Sequence, residues 1–438
     1  MAKTIHHPRP TEVDDLVPHR PPERRAPESV EMWAVVAAAV ALVVALFVVP
    51  AAVGGDVELG DGGLTAVEGD LAWAADLGVE AEPILAGHDT VVVGRDPTAV
   101  TGTTAVRALH ADTGAERWST DFDGRGAVPL HIGLDTVLVR SANSIAVLDL
   151  DTGQVMWDRV YAPDRPDPAV AEGVVLMGGD ELMAVELGEG EPLWRRDFPT
   201  SQRPTVADTV AFVAAPGAVR AVELEGGTEL WAAPLDSPSD LGAPAVVAGD
   251  LVVVANRTGD VVAFDRSTGE RRWAVFTQTG DPVVSLFTVD SIVIAGGRSG
   301  TVSAFTASTG ARLWDLATDV DLSDPQAIQS VTGTVVVGGP DSGELVVADL
   351  DTGERLWAID GEVTAPPVAT GSTVFAAVEG GFGITPDDLV AFDLATGERQ
   401  WVEALSHRDT GQILPWDDGI LVTSADGQDR PVRLSAFS

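Results

Sequence analysis

The sequence contains no cysteine. That absence excludes a disulfide framework, a thiolate metal site and a cysteine nucleophile together. Lysine is nearly missing: Lys3 stands alone beside 26 arginines, a skew that reflects a GC-rich coding genome. Asparagine occurs twice, as Asn143 and Asn256. Positive charge is scarce throughout the body. Residues 1–31 hold five Lys/Arg and six Asp/Glu, whereas the remainder holds 22 against 61 and carries −39. So acidic a surface repels phosphate backbones and argues against a nucleic-acid partner. Loose attraction of divalent cations and solubility at high salt are what it favours.

Long apolar runs are also missing, with one exception. Residues 32–53, "MWAVVAAAVALVVALFVVPAAV", carry no charge over 22 positions. At ~1.5 Å rise per residue that run can cross a ~30 Å hydrocarbon layer. It exceeds a signal-peptide core of roughly 7–15 residues and follows a thirty-residue polar lead, so an uncleaved anchor is expected. No cysteine follows it to accept a lipid. Arg20, Arg24 and Arg25 precede it and Asp56, Glu58 and Asp61 follow it. The positive-inside rule then puts the N-terminus in the cytoplasm and the acidic body outside, in a single-pass protein of the cell membrane. Residues 1–31 are Pro-rich and charged, the composition of a disordered tail, and its His6-His7 pair is too isolated for a metal site. Residues 54–62 read as a linker.

The remaining chain is too long for one ordinary core unless the core is built by repetition. A phrase recurs in it: "ALHADTGAERW" (108–118), "VLDLDTGQVMW" (147–157), "AVELGEGEPLW" (184–194) and "AVELEGGTELW" (221–231). It returns as "AFDRSTGERRW" (263–273), "AFTASTGARLW" (304–314), "VADLDTGERLW" (347–357) and "AFDLATGERQW" (391–401). Successive tryptophans lie 37 to 44 residues apart. The last place holds Trp118, Trp157, Trp194, Trp231, Trp273, Trp314, Trp357 and Trp401. The seventh place is Gly114, Gly153, Gly190, Gly227, Gly269, Gly310, Gly353 and Gly397. The first place is Ala in six copies and Val in two.

Around each phrase lie short Val-, Ile- and Phe-rich runs separated by turn residues, with no helical pattern between them. Four short strands per ~40 residues are the sequence signature of a β-propeller blade. Glycine supplies a positive φ where the third strand turns into the fourth. The aspartate or threonine before it can hydrogen-bond the turn's own backbone. Tryptophan on the outer strand can wedge against the neighbouring blade, and the small first residue leaves room for it. The two ends close the ring: "VRLSAFS" (432–438) matches the start of the phrase, and "EGDLAW" (68–73) supplies its end in Gly69 and Trp73. Eight complete units plus this split one are present.

The spacing A-x-D-x-x-T-G-x-x-x-W resembles the tryptophan-docking motif of the PQQ-like propeller family over about residues 63–438. That family includes quinoprotein alcohol dehydrogenases and BamB-type assembly proteins. The resemblance implies an all-β propeller of eight four-stranded blades, nine if every unit enters the ring. It also implies either a protein-binding or assembly platform or a dehydrogenase dependent on PQQ and Ca²⁺; a ligand-sensing domain that signals through the tail is a further reading. Such dehydrogenases hold the quinone with a catalytic Asp, Asn and Glu ligands, and often adjacent cysteines. With no Cys and two Asn, this chain departs from that set, so no catalytic residue, cofactor or metal is expected and a protein partner is favoured.

Other apparent chemistry dissolves on alignment. Asp-Thr-Gly evokes an aspartic protease, which needs two aspartates sharing a proton. Yet Ser267, Ser308 and Ala395 replace its aspartate in sister copies. "DLDTG" lacks the further acidic positions of a calcium loop. "HRDTG" (407–411) has no accompanying kinase motif, "GGFG" (380–383) is a lone glycine cluster, and the seven His show no ligand spacing. Asn256-Arg257-Thr258 is a glycosylation sequon, meaningful only in a host that glycosylates. Arg95–Thr104, Gly380–Asp387 and Ser406–Pro415 are the longer loops where a partner would first be sought.

Overall fold

The structure is a computed structural model. It describes residues 71–79, 84–87, 89–94, 104–122, 126–133, 135–235, 241–277, 281–340, 342–379, 386–405, 407, 409–416, 419–425 and 431–437. The expected tail, apolar span and linker (1–62), the loop residues 95–103 and the 380–385 glycine cluster lie outside these. Among the described residues no helix is long and apolar enough to cross a membrane.

Nine antiparallel four-stranded units follow one another, rather than the family's usual eight. Blades one to eight span 84–122, 127–160, 169–196, 205–234, 246–276, 283–317, 328–363 and 368–404. Blade nine takes three strands from 409–437 and its fourth from the strand Leu71–Val79, which pairs antiparallel with Pro431–Phe437. The split unit is therefore a blade of its own, which raises the count to nine. First strands of successive blades touch at six seams, including nine to one, so the first strand of each blade lines the inside of a closed ring. One residue pair, Val363 with Val378, links the sheets of blades seven and eight.

Blade five shows how the sequence builds a unit. Val246–Ala248 and Leu251–Ala255 are buried along their whole length, as strands covered on both faces must be. The outer strand Arg271–Phe276 alternates, with only Trp273 buried. Asn256 closes the second turn of the blade through its side chain: Oδ1 accepts from Thr258 N at 3.0 Å and Asp260 N at 2.8 Å. The one described helix is a short 3₁₀ turn, Pro325–Ala327, capped by Asp324.

The turn of the repeated phrase is held by an aspartate two places before the one the protease comparison singled out. Asp349 Oδ1 accepts from Thr352 N at 2.8 Å and Thr352 Oγ1 at 2.7 Å, and Asp149 and Asp393 bind Thr152 and Thr396 alike. Those bonds, the threonine hydroxyl's foremost and its N–H next, hold all three carboxyls below the ordinary 3.8. Asp351 stays exposed on the turn. Asp349→Ala is therefore expected to lower the thermal midpoint while Asp351→Ala leaves it nearly unchanged. A carboxyl with a depressed folded pKa stabilises above its unfolded value and loses that effect as pH falls through the folded one. The Asp349→Ala deficit should accordingly shrink below about pH 4, and a deficit constant with pH in thermal melts would contradict this assignment.

Candidate functional site

Eight of the seams between blades are each built by two phrases. The Trp of one blade lies over the seventh-place Gly of the next: Trp73 on Gly114, Trp118 on Gly153, Trp157 on Gly190 and Trp194 on Gly227. The series continues with Trp231 on Gly269, Trp273 on Gly310, Trp314 on Gly353 and Trp357 on Gly397. A Cβ at any of these glycines would meet the indole closer than 3.0 Å, and their φ angles lie between +65° and +71°. Glycine is required there twice over.

Each of these eight indoles also donates Nε1–H to the fourth-place carbonyl of the next blade, at 2.6–2.9 Å. The buried polar atom of the wedge is thereby satisfied. Trp401 contacts Phe375 with ring centroids 5.9 Å apart. Within its own blade every Trp faces the first-place residue across the strand pair, as Trp314 faces Ala304 and Trp73 faces Ala436. A larger residue there would crowd the indole.

The residues that look chemical in sequence are thus dispersed or engaged. Asp151 and Asp351 sit on turns of blades two and seven, and Asp151 meets only Arg117 at 3.4 Å in an exposed pair. Among the described residues no group of three or more His, Asp or Glu could hold a metal ion. The quinone and Ca²⁺ of the dehydrogenases do not fit the asparagines. Asn256 spends its amide oxygen on its own turn and donates Nδ2–H to Asp260 at 2.8 Å, while Asn143 is exposed on a turn. The same bonds and its burial engage the Asn256 amide of the sequon in the folded blade.

Three polar features escaped sequence reasoning. Asp387 is 1% exposed, and its Oδ2 accepts from Thr364 Oγ1 and Thr410 Oγ1, both at 2.8 Å, and from Thr410 N at 3.1 Å. Thr364 leads out of blade seven, Asp387 belongs to blade eight and Thr410 begins blade nine. One carboxylate therefore ties three consecutive blades. Thr410 belongs to the HRDTG run, so that run serves the scaffold.

Tyr161, the sole tyrosine, is buried, donates to Pro166 O at 2.5 Å, and has the guanidinium groups of Arg140 and Arg165 over its ring at 5.7 and 5.6 Å. Burial foremost pushes its hydroxyl up to about 12. Arg140 also pairs with Asp167.

His131, on the first strand of blade two, is pushed down to about 4 by burial and then by the charge of Arg203 from the lead-in to blade four. A histidine kept neutral in the fold favours the unfolded, protonated chain once pH falls below the unfolded value near 6.5. Stability contributed by His131 is present above about pH 6.5 and is lost as pH falls toward 4. Denaturant titrations should show that loss in the wild type and a flatter profile in His131→Gln; equal slopes would contradict a neutral, partly buried His131.

With this geometry in place, comparison with known proteins gives a consistent result. A family profile described as Outer membrane protein assembly factor BamB matches residues 60–207 and 215–436. The chain is 28% identical over 206 residues to the outer membrane protein assembly factor BamB of Yersinia pestis, covering 38% of this chain and 51% of that protein. It is 32% identical over 230 residues to the protein of the same name from Shewanella oneidensis, covering 47% and 56%. The chain thus spans little more than half the length of these curated relatives. A solved quinohemoprotein alcohol dehydrogenase from Pseudomonas putida HK5 superposes with a TM-score of 0.51 at 13% identity, covering 85% of this chain and 76% of that one. That likeness is one of fold.

Proposed function

The chain belongs to the family described as Outer membrane protein assembly factor BamB, and from that membership we propose that it is a non-enzymatic platform for protein partners. The observation that carries this reading is where the repeated chemistry goes. The glycines, tryptophans and phrase aspartates hold turns and seams, and the side chain of Asn256 is committed to its own turn. What the ring offers a partner is a broad acidic surface with loops at the blade ends.

The uncharged 32–53 run supports anchoring in the cell membrane, with the N-terminus cytoplasmic and the propeller outside. The relatives' named role in outer membrane protein assembly supports a partner that is itself a membrane-associated protein. Crosslinking the full chain in native membranes is expected to capture a defined protein partner on the extracytoplasmic side. Two outcomes would overturn the reading: no reproducible partner, or stoichiometric uptake of PQQ with Ca²⁺ accompanied by dye-linked alcohol oxidation.

A further inference from the structure

The fourth place of the phrase packs onto the core of the preceding blade. Leu150, Leu187, Leu224, Leu350 and Leu394 fill it at five seams, each packed in or against one core cluster with the preceding blade's Trp. Arg266 occupies it at another and reaches Asp208. Blade six places Ala307 there, against Trp273, Ala248 and Leu251 of blade five. The other alanine, Ala111, shares its cluster with the bulky side chains of Trp73, Leu414 and Trp416. At the seam of blades five and six a cleft of about 360 Å³ remains where the leucine is missing.

The walls of that cleft define what can enter it. Ala248, Leu251 and Ala307 supply apolar wall, and Asp250 and Asp290 stand among the lining residues on the two adjoining turns. Neither carboxylate accepts a hydrogen bond or ion pair from another described residue. Arg272 also lines the cleft, but its guanidinium donates to Asp265 Oδ2 at 2.7 Å. Asp250 stands within electrostatic reach of that arginine without a close ion pair, so an entering cation meets two carboxylates that hold no hydrogen bond among the described residues and one arginine already bonded to Asp265.

We propose that this cleft receives a lysine side chain from a protein partner, its aliphatic stem on the alanines and leucine and its ammonium between Asp250 and Asp290. A long cationic side chain matches both halves of the wall, since its methylenes pack on apolar surface while its head stays polar. A bare divalent ion would leave the apolar wall unused and would find too few oxygen ligands. The charge of the body, −39 beyond residue 31, draws basic segments toward it. The occupant presupposes the platform role, whereas the cleft itself can be tested without any natural partner.

The test is methyl NMR of the full chain, labelled at alanine methyls and titrated with N-acetyl-lysine methylamide at about 150 mM salt, where long-range attraction is screened. The Ala248 and Ala307 methyls should shift saturably. The norleucine analogue, which lacks the ammonium, should bind at least about tenfold more weakly, a difference of 1.4 kcal/mol. Asp250→Asn combined with Asp290→Asn should weaken the lysine compound to the same degree. Ala307→Leu, which restores the sister residue without changing charge, should abolish the shifts and leave the fold intact. No saturable shift, equal binding of norleucine, or undiminished binding to Ala307→Leu would overturn the proposal. So would methyl shifts that depend on protein concentration alone, which would assign the cleft to a second copy. Failure of the titration removes the lysine site, whereas failure of the membrane crosslinking removes the platform.

Discussion

Trp314→Ala is expected to cost about 3–5 kcal/mol of unfolding free energy, the range for deleting a buried aromatic without refilling its space. Trp314 is 7% exposed, belongs to the core cluster shared by blades six and seven, covers Gly353 of blade seven and donates Nε1–H to Leu350 O at 2.8 Å. The substitution removes the wedge and leaves a carbonyl of the next blade without its donor. The loss should appear in equilibrium denaturation as a lower midpoint. Trp314→Phe should recover part of the packing but not the hydrogen bond. A loss under about 1 kcal/mol for Trp314→Ala would mean that the seams are held by something other than the indoles.

The second large effect is expected at Asp387. Removing its carboxylate with Asp387→Ala strips the partner from two threonine hydroxyls and one backbone N–H around an oxygen site 1% exposed. Hydrogen bonds to a charged group are worth about 1.5–3 kcal/mol each, and orphaning buried donors adds to the loss. About 3 kcal/mol or more of destabilisation is expected. Because Thr364, Asp387 and Thr410 come from three successive blades, the loss should loosen the ring beside its closing blade. Hydrogen exchange should therefore rise first in blades eight and nine, and uniform exchange around the ring would argue against the tie. Asp387→Asn keeps one carbonyl acceptor and should lose less.

Both effects bear on how much of the protein is legible in its sequence. The propeller is legible because burial repeats locally: Val252, Val253 and Val254 announce a strand covered on both faces, and Trp273 amid exposed neighbours announces an outer edge. Ring closure is legible too, since 68–73 and 432–438 are halves of one phrase, and the strands Leu71–Val79 and Pro431–Phe437 pair. Blade number was harder, because a repeat count of nine does not say whether every unit enters the ring, and the structure places all nine as blades.

The partner of each residue is a long-range property, and there the sequence is mute. Periodicity marks Trp314 for burial, but a phrase contains both a Gly and a Trp, and nothing local says they belong to different seams. The turn aspartate shows the same limit. Asp351 attracts notice as part of Asp-Thr-Gly, while Asp349 makes the bonds, and in sequence they differ only by two positions. Asp387 sits beside a glycine cluster in an ordinary loop, and its three donors lie 23 residues away on either side. Ala307 is unremarked until five sister leucines show what it replaced.

The claim that the phrase is a seam between blades can be tested by one double-mutant cycle. Gly353→Ala should be destabilising, through its φ of +69° and through a Cβ driven into Trp314. If the seam is as described, Gly353→Ala and Trp314→Ala should couple by about 1 kcal/mol or more, since removing the indole relieves the clash. Gly353→Ala and Trp357→Ala, which share one phrase but not one seam, should add to within about 0.5 kcal/mol. Coupling of Gly353 to Trp357 with none to Trp314 would contradict the account, because the phrase would then be a self-contained motif rather than half of two joints.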